Sequence, residues 1–136
     1  MKKTLASIVA VLALSSTAFA AGNYKVEVKT PTGAKKASPS VARVHIEGTG
    51  GYVINTDYPV KLVLTPPAGV KVDKSTQTQA DAKTLKKDGA DFDVTITPSD
   101  AGAKTFTGEI KFAVVSADGK SSAPVTEKIN FSVDVK

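Results

Sequence analysis

The sequence predicts an all-β protein: an immunoglobulin-like antiparallel β-sandwich of about seven strands that follows a cleaved signal peptide. Three observations carry this. Apolar and polar residues alternate with a period of two over much of the chain, turn residues interrupt that alternation at regular spacing, and no segment shows a helical stripe. Cysteine and tryptophan are both absent. The Cys…Trp…Cys pin of antibody-type domains is therefore missing, and the sandwich must rest on apolar packing alone.

Lys2 and Lys3 form a positive leader, residues 5–14 are an apolar run, and Ala18-Phe19-Ala20 puts small residues at the two positions a signal peptidase reads. These residues predict export and cleavage after Ala20, dividing the chain into a signal peptide (1–20) and one domain (21–136). The apolar run is about half as long as the roughly twenty residues of a spanning helix. No later stretch is apolar enough to span, so no membrane insertion is expected after cleavage. The expected location is periplasmic or secreted. With no cysteine after the cut, the chain is not a lipoprotein and carries no disulfide, although its compartment permits one.

Tyr24, Val26 and Val28 alternate with Lys25, Glu27 and Lys29, as in a half-buried strand. A Pro- and Gly-containing link (30–40) leads to a second strand (41–46), which breaks at the glycines of 47–51. A short apolar segment (52–55) and a strand (60–64) follow; the strand ends at Pro66-Pro67, because proline cannot donate to the ladder. Gly69 opens a short strand (70–72). Residues 73–89 are polar with little periodicity, and a short edge strand is expected near 80–85. Phe92, Val94 and Ile96 alternate with Asp91, Asp93 and Thr95. Beyond a turn at 98–102, Phe106, Gly108, Ile110, Phe112 and Val114 share one face. Asp118-Gly119 is a hairpin signal. It joins this strand to the next, where Ile129, Phe131, Val133 and Val135 alternate with polar residues. Phe92, Phe106, Phe112 and Phe131 are the expected core.

Several chemistries are excluded or weakened. Thiol nucleophiles and thiolate metal sites need a cysteine. His45 is the only histidine, so a multi-histidine metal site is impossible, and it is expected on an outward strand face. Glu27, Glu47, Glu109 and Glu127 are dispersed, at outward strand positions or near turns, and no catalytic pair stands out. The residues 48–51 lack the lysine and helix of a phosphate loop. One arginine, Arg43, and, after the expected cut, only two adjacent lysine pairs, Lys35-Lys36 and Lys86-Lys87, do not make a nucleic-acid surface. Asp88, Asp91 and Asp93 form the densest acidic cluster, and Asp91 and Asp93 share a face. The spacing is not that of a calcium loop, and Lys86 and Lys87 lie close by. Tyr52 and Tyr58 flank Asn55. They read either as a recognition patch or as corner tyrosines that pack their rings.

Gly51-Tyr52-Val53-Ile54-Asn55, Tyr58-Pro59, and the step Pro67-Ala68-Gly69-Val70 resemble a pattern in the immunoglobulin-like N-terminal periplasmic domain of DsbD-type thiol–disulfide reductases and related secreted bacterial domains. In that family two redox cysteines flank the final hairpin, with a proline shortly after the second. The resemblance places Ser116 and Ser122 at those positions, ahead of Pro124. It implies the fold and an envelope location. It implies no electron transfer, since serine forms no disulfide.

The expectation from the sequence is thus an exported, non-enzymatic binding or structural module with no cofactor and no metal. Its partner is another envelope protein rather than a nucleic acid, and Tyr52, Asn55, Tyr58, Ser116 and Ser122 are the candidate interaction positions. Two alternatives stand beside it: a redox-inactive relative of the reductase domain that docks a partner, and a calcium-assisted adhesion domain using Asp88, Asp91 and Asp93.

Overall fold

In the period-two segments the apolar residues line up on one face of each strand, and two such faces close on each other. The computed structural model describes the backbone of residues 15–136 and the side chains of residues 22–136. Its strands are β1 (Ser15–Ala21), β2 (Tyr24–Thr30), β3 (Ser40–Gly48), β4 (Tyr52–Ile54), β5 (Lys61–Thr65), β6 (Val70–Val72), β7 (Thr76–Thr78), β8 (Thr84–Lys86), β9 (Gly89–Pro98), β10 (Gly102–Ser116) and β11 (Ser122–Val135). One sheet runs β1-β2-β3-β9-β6, with β8 also on β9. The other runs β11-β10-β5-β7, with β4 also on β10. Every strand pairing is antiparallel.

Register carries the core. Val28, Val44 and Phe92 stand opposite one another across β2, β3 and β9, and all are fully buried. On the facing sheet Phe106 is opposite Phe131, and their rings stack at 4.9 Å with 5° between planes. Phe112 is opposite Val125, and Tyr24 from the first sheet meets the Phe112 ring edge-on at 5.7 Å. All four phenylalanines expected in the core are buried there.

The segment 73–89 departs from expectation. Instead of one strand near 80–85 it holds β7, a 3-10 turn at Gln79–Asp81, and β8. The turn forms because the Asp81 carboxylate accepts the Thr78 backbone N–H at 2.9 Å, a local bond that competes with the ladder. These short strands, with β1, β4 and β6, raise the count above the seven or so expected. Buried Gln77 on β7 donates to the Asp93 carbonyl at 2.9 Å and so ties the two sheets together. Of the expected signal peptide, residues 1–14 lie outside the described residues. Ser15–Ala21 pairs along β2, and the expected cleavage point after Ala20 falls within it.

Candidate functional site

The chain gathers four of the five expected positions at one end of the β11-β10 sheet. β4 leaves β3, crosses to the other sheet and pairs with the end of β10, Tyr52 opposite Ser116. Asn55 Nδ2 donates to Ser122 Oγ at 3.4 Å. The Asn55 side-chain oxygen accepts the Asp57 N–H at 3.0 Å and its carbonyl accepts the Tyr58 N–H at 3.2 Å, building a tight turn. Tyr52 is half-buried and packs against the core, and Tyr58 is half-buried beyond the turn. The Tyr52 ring thus packs as a corner tyrosine's would.

Ser116 and Ser122 meet the same end of the sheet but not each other. Ser122 is opposite Val115, while the Ser116 N–H donates to the Ser121 carbonyl at 2.8 Å and the Ser121 N–H to Ser116 Oγ at 3.0 Å. The Ser116 hydroxyl and the Lys120 N–H both donate to Asp118 and hold its carboxyl below the usual range. Gly119, at φ 78°, closes the turn. Because side chains alternate along a strand, Ser116 and Ser122 project from opposite faces of the hairpin. The pairing that the reductase resemblance implies is therefore not the one built here. Ser116→Cys with Ser122→Cys is expected to leave two free thiols under mild oxidation, measured by thiol titration with the fold checked by circular dichroism.

The outer face of the β2-β3-β9 sheet is a charge ladder. Arg43 Nε and Nη2 donate to Asp93 at 2.7 and 3.3 Å, and the guanidinium holds the Asp93 carboxyl below the usual range. His45 stands between carboxylates, Nδ1 at 2.7 Å from Asp91 and Nε2 at 3.2 Å from Glu47. Thr84 donates to Asp91 at 3.0 Å. Asp91 and Asp93 share a face, as expected, but each already has a protein partner. Asp88 is exposed and, with His45, Lys86 and Asp91, borders a shallow hollow. Among the described residues no three carboxylate or histidine side chains are grouped as metal ligands.

Two features escaped the reading of the sequence. Glu127, expected at an outward or turn position, stands instead on the inner face of β11 between Val125 and Ile129, and Tyr24 Oη donates to it across the sheets. The alternation Val125, Glu127, Ile129 was the available signal. This contact and burial push the Tyr24 phenol up to about 12. The neutral phenol then contributes stability that is full below about pH 10 and is lost as pH rises through the folded-state value. Spectrophotometric titration is expected to show one of the three tyrosines ionising late, and Glu127→Gln should bring it back toward the ordinary range.

The second feature is a hollow of about 490 Å³ on the outer face of the β11-β10-β5 sheet. Lys61, Val63, Thr65, Thr107, Glu109, Lys111 and Lys128 border it, none of them aromatic. Lys61 lies directly opposite Lys111, and Glu109 opposite Lys128. Lys111 reaches Glu109 at 3.8 Å, while Lys61 and Lys128 have no anionic partner within 4.0 Å among the described residues. It took the pairing of β5 with β10 to bring Lys61 and Lys111 together.

No family model and no curated protein sequence matches the chain. Among solved structures it is similar to the GAE domain of GGA2p from Saccharomyces cerevisiae, at 12% identity and TM-score 0.53, covering 86% of this chain and 97% of that one. It is also similar to a cohesin module of a family 33 glycoside hydrolase from Clostridium perfringens, at 14% identity and TM-score 0.54, covering 85% and 98%. Likeness at such identities speaks for the fold and for nothing finer: the chain is an immunoglobulin-like β-sandwich.

Proposed function

We propose that the protein is an exported, non-enzymatic binding module whose outer β11-β10-β5 face takes an acidic segment of another envelope or secreted protein. The observation that carries this reading is the lysine pair Lys61–Lys111, set directly opposite one another at a hollow. Like charges directly opposite on a sheet are destabilising. A carboxylate-rich segment laid between them removes that repulsion, and Lys128 adds a third cation at the rim. The hollow has no aromatic side chain on which a base could stack, which disfavours a nucleic-acid ligand. An enzyme needs titratable groups converging in a cleft. Here Asp93 is held by Arg43, and Asp91 and Glu47 by the one histidine, along an open face.

The test is fluorescence anisotropy with a labelled polyglutamate peptide and the exported protein. Binding is expected at low salt, weakening as salt rises. Lys61→Glu with Lys111→Glu should abolish it, while Lys86→Glu with Lys87→Glu, at the other sheet, should leave it unchanged. Absence of binding, or binding indifferent to the first pair, overturns the reading. The two alternatives have less support. Asp91 and Asp93 would have to give up His45 and Arg43 to hold calcium, and the serines at the reductase positions are out of register.

A further inference from the structure

β1 lies on an edge that export would uncover. It pairs with β2 from Ser15 opposite Thr30 to Ala21 opposite Tyr24. Cleavage after Ala20 removes all of β1 except Ala21, leaving β2 as the edge of its sheet with a row of backbone N–H and C=O groups turned outward.

The edge facing it across the sandwich is guarded. β11 carries Pro124, which has no N–H, and the inward Glu127, and its C-terminal end is bonded through Lys136 to Ala34 and Lys36. β2 has no proline and no inward charge: its inner face is Tyr24, Val26, Val28 and Thr30.

The outer face of β2 reads Lys25, Glu27, Lys29, and this order is self-complementary in one antiparallel register. With Val26 opposite Val26 of a second copy, Lys25 meets Glu27 twice about the two-fold axis, and Tyr24 meets Val28. A shift of one residue turns the apolar face outward. A shift of two in one direction sets Glu27 against Glu27 and Lys25 against Lys29; in the other it sets Lys25 against Lys25. A shift of four restores a Glu27–Lys29 match but puts Pro31 in the ladder, where it cannot donate.

We propose that the processed protein pairs with a second copy of itself, β2 against β2 about Val26, so that the sheet continues across a two-fold axis. The partner strand takes the place that β1 holds in the unprocessed chain, through main-chain hydrogen bonds of the strand-addition kind. This rests on the export reading and is independent of the acidic-segment reading.

The experiment is sedimentation velocity on the protein purified after export, with its N-terminus read by mass spectrometry. The expected result is a chain beginning at Ala21 in a concentration-dependent monomer–dimer equilibrium. Lys25→Glu should weaken the dimer about tenfold or more, by setting like charges opposite at both symmetric positions. Glu27→Lys alone should do the same, and it gives a second route in case the carboxylate introduced opposite Glu47 by the first change disturbs the fold. Combining Lys25→Glu with Glu27→Lys should restore the dimer. Lys61→Glu with Lys111→Glu should leave dimerisation unchanged, so failure of this proposal and failure of the acidic-segment reading are told apart. A processed protein that stays monomeric, a dimer indifferent to both single changes, or an exported chain that retains residues 1–20 overturns the proposal.

Discussion

Phe112→Ala is expected to lower stability by about 3–5 kcal/mol, the usual range for a buried phenylalanine truncated to alanine. Phe112 is fully buried on β10, opposite Val125, with the Tyr24 ring edge-on against it. Its removal opens a space that neighbours on regular ladders cannot collapse to fill, since each is pinned by its own register. It also strips the apolar support from Tyr24, whose hydroxyl is the inter-sheet contact to Glu127. Lys111→Ala, one residue away on the outer face, should change stability by no more than about 0.5 kcal/mol. Urea melts of the two variants decide it, and equal costs would mean that the faces are assigned the wrong way round.

Gly48→Ala is expected to be the most damaging change of a single methyl group. A Cβ at this position would lie 2.3 Å from the Tyr52 carbonyl oxygen and 2.7 Å from the Val53 Cα. Both are backbone atoms, so no side-chain rotation relieves the overlap, and β4 must move. β4 also binds the end of β10, donates its Ile54 N–H to the Lys87 carbonyl at 2.9 Å, and positions the Asn55 turn. A cost at or above the top of the roughly 1–3 kcal/mol typical of overpacking follows. Gly22→Ala, with nothing within 4 Å of its Cβ position, is the control and should stay within about 0.5 kcal/mol. Thermal melts compare the two. A Gly48→Ala protein as stable as the control would show that β4 does not cross so closely.

The long strands were legible because burial on one face writes itself into the sequence as alternation. Tyr24 to Val28, Phe92 to Ile96, Phe106 to Val114 and Lys128 to Val135 could each be assigned to a face residue by residue, whereas Glu127 between them was not. The segment 73–89 was not legible. Its strands are three residues long, too short for a period to show, and are held by contacts such as Gln77 to the Asp93 carbonyl that join residues far apart in sequence. The candidate interaction positions show the same division. That Tyr52 follows a glycine turn and that turns lie near Asn55 and in the last hairpin was readable from Gly51, Asn55 and Asp118-Gly119. That they converge at one end of one sheet was not.

By itself the sequence determined the fold class, the core phenylalanines and the chemistries a cysteine-free chain with one histidine cannot perform. These depend on residue type and on spacing along the chain. Beyond the last hairpin, which Asp118-Gly119 signals, only the tertiary structure decided which strands are neighbours and in which register. That pairing put Lys61 opposite Lys111, Ser122 opposite Val115 rather than Ser116, and the Glu127 carboxylate against Tyr24. The reason is physical: alternation specifies which face a side chain takes, but it carries no record of which strand lies alongside. Strand order is chosen by how two whole apolar faces fill the space between the sheets.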